Sequence, residues 1–208
     1  MRIFFLCSGL VIFLTSCAVT RDNVTIRYDS LQTTERVAEA EYATVNVQVS
    51  DDRPHKERVG RKKNGYGMDC ASIMSENDVS LVVKDAISEE LKKKGFQLSD
   101  AEKAAVIDVN LKKFYNEFKP GFFVGKALSE MVVTVKVLGE KKHTSFAKTL
   151  IGTGLNKDVT LYSGKSAKKV LEDALRNTIS ELLQDQEFID ALLQTGKLEN
   201  AVTHLESS

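Results

Sequence analysis

The chain has 208 residues, 42% of them hydrophobic and 28% charged, which suits one globular domain of ordinary size with a tail or tether. Lysine plus arginine and aspartate plus glutamate both number 29, so the formal net charge is zero. That balance lacks the basic excess of a nucleic-acid binder, and too much of the chain is buriable for an acidic disordered protein. Three cysteines and three histidines, all scattered, leave little material for a metal site or a disulfide scaffold.

The chain opens with Arg2 and an apolar run from Ile3 to Leu14. A membrane-spanning helix needs about 20 apolar residues, so this run is too short to be a lasting anchor and has the build of a cleaved signal peptide over residues 1–16. The end of the run, Leu14-Thr15-Ser16-Cys17, resembles the bacterial lipobox, in which small residues precede a cysteine whose thiol takes a diacylglycerol. On that resemblance the chain is cut between Ser16 and Cys17, and Cys17 becomes a lipidated, N-acylated first residue. Three acyl chains hold a protein on a membrane far more firmly than the single chain that binds reversibly. Ala18 stands where enterobacterial lipoproteins destined for the inner membrane carry aspartate, which points to the outer membrane, facing the periplasm. Cys70 is then the one remaining free thiol, expected to be partly shielded.

Residues 17–43 read as a lipidated tether, with alternation at Val24, Ile26 and Tyr28 that permits one short strand. A single domain is expected over 44–196. Val45, Val47 and Val49 alternate with polar residues as a half-buried strand, which Asp51-Asp52-Arg53-Pro54 ends. His55 to Cys70 reads as a basic, glycine-containing loop. Ser75 with Asp78 signals a helix start, Val79, Val82, Val83, Ala86, Ile87 and Leu91 hold one helical face, and Gly95 stops it with Phe96 folding back. Three strands come next, carried by Ile107 to Leu111, Met131 to Val137 and Phe146 to Leu150, with a tight hairpin over Gly139 to Lys142. A long helix runs from Val170 to Leu183, and a shorter one with Phe188 to Leu193 precedes Gly196 and a polar tail over 197–208. The expectation is an α+β two-layer sandwich. It has a mainly antiparallel sheet of about four strands, with two main helices on one face, in the order strand, helix, three strands, helix.

This layout resembles the YajG-like envelope lipoproteins. The matching features are the lipobox at Leu14 to Cys17, the strand Val-x-Val-x-Val-x-Asp-x-Arg over Val45 to Arg53, Gly60, the helix end Leu91-Lys92-Lys93-Lys94-Gly95-Phe96, three strands and a long C-terminal helix. The resemblance implies an envelope lipoprotein and supplies no catalytic residues. Similar modules recur in LpoB-like activators of cell-wall synthases, which gives a second expectation, a synthase regulator.

No catalytic set emerges, and no enzyme, cofactor or metal is expected. Gly164-Lys165-Ser166 invites a phosphate-loop reading, but Val159 stands where that loop needs glycine, so a helix start capped by Ser163 or Ser166 is expected. There is no Gly-x-Ser-x-Gly elbow. His55, His143 and His204 read as surface residues, and Asp51 and Asp52 as turn caps. Two stretches are candidates for interaction. Arg58, Arg61, Lys62 and Lys63 could meet phosphorylated headgroups or an acidic partner. Phe122 and Phe123, flanked by Gly121 and Gly125, could anchor an envelope protein or fold into the core. The expected partners are membrane lipid through Cys17 and an envelope protein, with no nucleic acid. A ligand-binding or hydrolytic domain with a site assembled from distant residues is the remaining alternative.

Overall fold

The computed structural model describes residues 20–32, 34–63, 66–101, 104–121, 124–139, 143–159 and 162–206, with side chains as far as Lys197. Three strands form its spine: β6 (Ala105–Lys119), β7 (Gly125–Leu138) and β8 (Thr144–Val159), an antiparallel meander in which Val109 faces Val135 and Val135 faces Lys148. These are the three strands expected from alternation, but each runs longer. β6 survives past Leu111 because a bulge at Lys112 resets its register. Phe114, Asn116 and Phe118 therefore take the inward positions that strict alternation would have given to Lys113, Tyr115 and Glu117.

Along its other edge, β6 carries two strands end to end. β2 (Thr44–Asp51) pairs with residues 105–111 in parallel, and β3 (Arg58–Lys63) touches β6 through Gly60 and Asn116. β4 (Asp69–Ser75) runs antiparallel to β3, the short β1 (Asp22–Val24) lies parallel to β4, and β5 (Gln97–Leu98) is parallel to β2. The result, among the described residues, is α+β with an open, mixed sheet of eight strands. The four strands expected from sequence undercount it. The stretch from His55 to Cys70, expected as a loop, instead holds β3 and the start of β4.

Among the described residues three helices, where two main ones were expected, cover one face: α1 (Val79–Lys94), α2 (Gly164–Gln184) and α3 (Gln186–Glu206). Their apolar stripes join the inward residues of β2, β6, β7 and β8 in one core that includes Leu91, Ile107, Leu111, Leu150, Leu175 and Phe188. Asp78, rather than Ser75, caps α1 by accepting from the Ser80 N–H at 2.8 Å. The helix ends as expected. Gly95 adopts φ 104°, a left-handed conformation that costs glycine nothing, and donates to Leu91 and Lys92 while Phe96 buries behind it. α2 opens at Ser163, whose N–H donates to the Ser166 hydroxyl at 2.9 Å, so Gly164-Lys165-Ser166 is the first turn of a helix. α3 continues through Gly196, where an end and a polar tail were expected.

α2 lies unusually close to β8. A Cβ on Gly152 would fall 2.0 Å from the Thr178 hydroxyl, and one on Gly154 would fall 1.9 Å from the Val170 carbonyl oxygen. Both positions accept only a hydrogen, so the helix backbone rests directly on the strand. Among the described residues no helix lies on the opposite face of the sheet, and its outward side chains include Val132 facing Ile151 and Leu128 facing Leu155 in register. Ile151 is 57% exposed and Leu155 50%.

Candidate functional site

Residues 20–43 do not hang from the domain; they are fastened to it at several points. Asp22 comes first. One of its carboxylate oxygens takes the Gly164 N–H at the start of α2 at 2.7 Å, and the other pairs with Lys62 at 2.6 Å. A helix N-terminus favours an anion, and here the chain's own beginning supplies it. Burial alone would raise the Asp22 pKa, but Lys62 and the Gly164 N–H outweigh it and hold the carboxyl below its ordinary value. Lys62 also donates to the Thr20 carbonyl at 3.0 Å. Next, Asn77 grips the backbone of Ile26 on both sides, accepting from its N–H and donating to its carbonyl.

The strongest fastening is Glu90, a fully buried carboxylate on α1. One oxygen accepts from the Leu31 N–H at 3.0 Å, the Ser30 hydroxyl at 2.9 Å and the Tyr28 hydroxyl at 3.2 Å, and the other accepts from Thr34 at 2.8 Å. Lys93 completes the set at 3.1 Å. Burial by itself would raise the Glu90 pKa; the donors from Thr34, Leu31, Lys93 and Ser30 together outweigh it, so the folded value lies below the ordinary 4.5. The same arrangement drives the Tyr28 hydroxyl strongly upward, through burial and the adjacent Glu90 charge.

A carboxyl depressed on folding contributes stability above its unfolded pKa and surrenders it as pH falls through the folded value. Stability should therefore be level near neutrality and fall on acidification from about pH 4.5, where the unfolded chain's Glu90 takes up its proton, down through the lower folded value. Glu90→Gln should cost about 2 kcal/mol at pH 7, the scale of hydrogen bonds to a charged acceptor. It should also flatten the acid limb of the urea midpoint plotted against pH. An acid limb unchanged in the variant would show that Glu90 does not carry it.

The Val-x-Val-x-Val-x-Asp-x-Arg stretch ends in a second buried charge pair. Arg53, 6% exposed, forks onto both oxygens of Asp51 at 2.9 and 2.7 Å, donates to the Lys56 carbonyl at 2.6 Å, and lies over the Phe114 ring. Asp51 also caps the Arg53 N–H, while the exposed Asp52 turns away to Lys112 at 2.7 Å. Both aspartates hold the strand end, as their positions suggested. At the far end of β6, Asn116 is buried and bonded to the Ser129 hydroxyl at 2.9 Å and to the Tyr162 hydroxyl, with Phe118 stacked on Tyr162 at 4.4 Å. Burial, with Tyr115 and Asp22 nearby, raises the Tyr162 pKa, so this hydroxyl stays a donor.

The basic candidates do not converge. All four lie on β3, but Arg61 pairs with Asp69 at 2.9 Å, whereas Lys62 is spent on Asp22. Arg58 and Lys63 are half-buried at the two ends of the strand. Ser16, Cys17, Phe122, Phe123 and His204 lie outside the residues whose side chains are described. His55 and His143 are exposed. Cys70, expected to be partly shielded, is also exposed, its thiol donating to the Lys62 carbonyl at 3.4 Å. Among the described residues, no cluster of His, Cys, Asp and Glu is placed to hold a metal ion. Open depressions among the described residues include two of note. One, of about 450 Å³, lies at the α2–α3 corner beside Lys148, Glu181 and Asp185; the other, of about 510 Å³, lies under Thr34 to Val37 against Leu183 and Ile189.

Sequence reasoning missed Asp22, Asn77 and Glu90. Glu90 did leave a signal: it falls three residues after Ile87 and one before Leu91, on the helical face that carries the apolar residues.

A helix-backed open, mixed sheet entered through a clamped lead is the α+β domain that the described residues build. The chain belongs to the uncharacterized lipoprotein family that includes YajG, whose sequence pattern matches residues 31–193. That membership makes it a membrane-anchored envelope protein, and among the described residues no helix is long and apolar enough to cross a membrane. The fold is similar to protein XCC0632 from Xanthomonas campestris, at 12% identity and a TM-score of 0.53, covering 91% of this chain and 99% of that one. A minor lipoprotein from Acinetobacter baumannii aligns at 11% identity and a TM-score of 0.40, over 68% and 91% of the two chains. No curated protein matches the sequence.

Proposed function

We propose that this protein is a non-enzymatic adaptor of the cell envelope, lipidated on Cys17 after cleavage between Ser16 and Cys17. It is held at the periplasmic face of the outer membrane and presents its domain to another envelope protein. The observation that carries the reading is the fastened lead. Four residues separate Cys17 from Asp22, and the five steps between them span at most about 18 Å when fully extended. The domain therefore works at the membrane surface, not at a distance from it. An LpoB-like regulator of a cell-wall synthase would need a free tether to reach outward, and Asp22, Asn77 and Glu90 take that length away. A ligand carrier or hydrolase would draw on a deep cavity with convergent polar groups; the depressions beside Lys148 and beneath Thr34 to Val37 are open to solvent instead.

Cys17→Ala should abolish fatty-acid labelling and release the protein from membranes, and labelling that persists would overturn the anchor. Membrane separation on a density gradient then tests the outer-membrane assignment. For the adaptor role, photo-crosslinking amino acids at Ile151 and Leu155 on the uncovered sheet face should give a discrete protein adduct in cells. Absence of any protein adduct at both sites would remove that face as an adaptor surface.

A further inference from the structure

One end of the domain gathers features that the anchor alone does not account for. The chain enters there, with Thr20 and Asp22 tied to Lys62 near the tip of the β3–β4 hairpin. The same hairpin bends over Pro120 at the end of β6, since a Cβ on Gly67 would lie 3.7 Å from the Pro120 ring. The start of β7 and the end of β8 meet there too, through Gly125 and Val159, as does the first turn of α2 through the Gly164 N–H. The opposite end carries Gly95, the short 3₁₀ turn Ala40–Tyr42 and the α2–α3 corner at Asp185.

Large apolar side chains are exposed on the turns of the entry end. Tyr66 is 91% exposed, Met68 60% and Val124 46%. Cations ring them: Lys119 and Lys126 face each other in register, Lys165 lies in the first turn of α2, and Lys63 closes β3. The acids in reach are Asp22, spent on Lys62, Asp69, paired with Arg61, and the exposed Glu117 and Asp158. Aromatic and apolar side chains within a lysine collar have the composition that partitions into the headgroup region of an anionic bilayer.

We propose that this end of the domain is a membrane seat. Tyr66, Met68 and Val124 insert at the headgroup level of the same phospholipid leaflet that holds the acyl chains, with Lys119, Lys126 and Lys165 against its anionic headgroups. The proposal rests on the Cys17 anchor, because the four residues between Cys17 and Asp22 deliver the chain to this end and to no other. The seat fixes one orientation: the strands of the meander stand away from the bilayer, with the α2–α3 corner and the Tyr42 turn farthest from it.

The chain contains no tryptophan, so a single Y66W reporter is unambiguous. The full-length lipoprotein, reconstituted in phosphatidylethanolamine–phosphatidylglycerol vesicles, should co-float with them, and Y66W should lose about half or more of its emission when the lipids carry brominated acyl chains, as an interfacial side chain does. Y42W, at the opposite end, should keep its emission. K119E/K126E should weaken Y66W quenching while leaving flotation intact. Co-flotation with Y66W and Y42W equally unquenched, or with Y42W quenched instead, would overturn the seat and leave the anchor standing. Failure to co-float would overturn the anchor, and the seat with it.

Discussion

Gly154→Ala should destabilise the protein by about 3 kcal/mol or more, at the upper end of what overpacking costs. The added methyl would lie 1.9 Å from the Val170 carbonyl oxygen, 2.8 Å from its carbon and 3.0 Å from the Ala174 nitrogen. These are backbone atoms of α2, so no change of rotamer relieves the clash. The helix must rise off β8, and Leu171, Leu175 and Leu150, all within 1% of complete burial, lose contact together. Thr153→Ala, an exposed neighbour on the same strand, should change stability by no more than about 0.5 kcal/mol. Urea unfolding of both variants decides it: a Gly154→Ala midpoint as close to the parent as that of Thr153→Ala would mean that α2 does not rest on this strand.

Arg53→Ala should cost about 3–5 kcal/mol, the range for removing one partner of a buried ion pair. Asp51 is the reason. Its side chain is only 4% exposed, and without the guanidinium its charge has no adequate counterpart. The loop that Arg53 holds through the Lys56 carbonyl, and the packing over Phe114, would loosen at the same time. Arg53→Lys should recover only part of the loss, since an ammonium cannot fork across both carboxylate oxygens and also hold a carbonyl. Equal stability of the lysine variant and the parent would show that the planar fork is not what matters here.

How legible each element was in the sequence depends on where its side chains find their partners. β6, β7, β8, α1 and α2 were legible because their apolar residues repeat at the period of the element that buries them. β3 was hidden behind its charges. Arg-Val-Gly-Arg-Lys-Lys has polar residues on both faces and two register shifts against β4, and Lys62 can point inward only because Asp22 waits forty residues upstream. β5 is two residues long, below any periodic signal. Of the candidate interaction residues, the four cations were found as a group but not as a site, since alternation along a strand sends Arg61 and Lys62 to opposite sides. The fastening of the lead rests on pairs far apart in sequence, such as Lys62 with Asp22, 40 residues apart, and Gly164 with Asp22, 142 apart. No local pattern encodes those.

The direction in which β1 lies gives the anchor a mechanical character. β1 enters the sheet from the end where the chain begins and runs parallel to β4. Tension on Cys17 directed away from that end pulls β1 along its own length. The backbone hydrogen bonds over Asp22, Asn23 and Val24 are then loaded sideways and together instead of being peeled one by one. Behind them stand the Asn77 grip on Ile26 and the Glu90 cluster, each engaged only after the one before it has yielded. With the proposed lipid on Cys17, a tug on it would be met in series by the β1 ladder, the Asn77 grip and the Glu90 cluster.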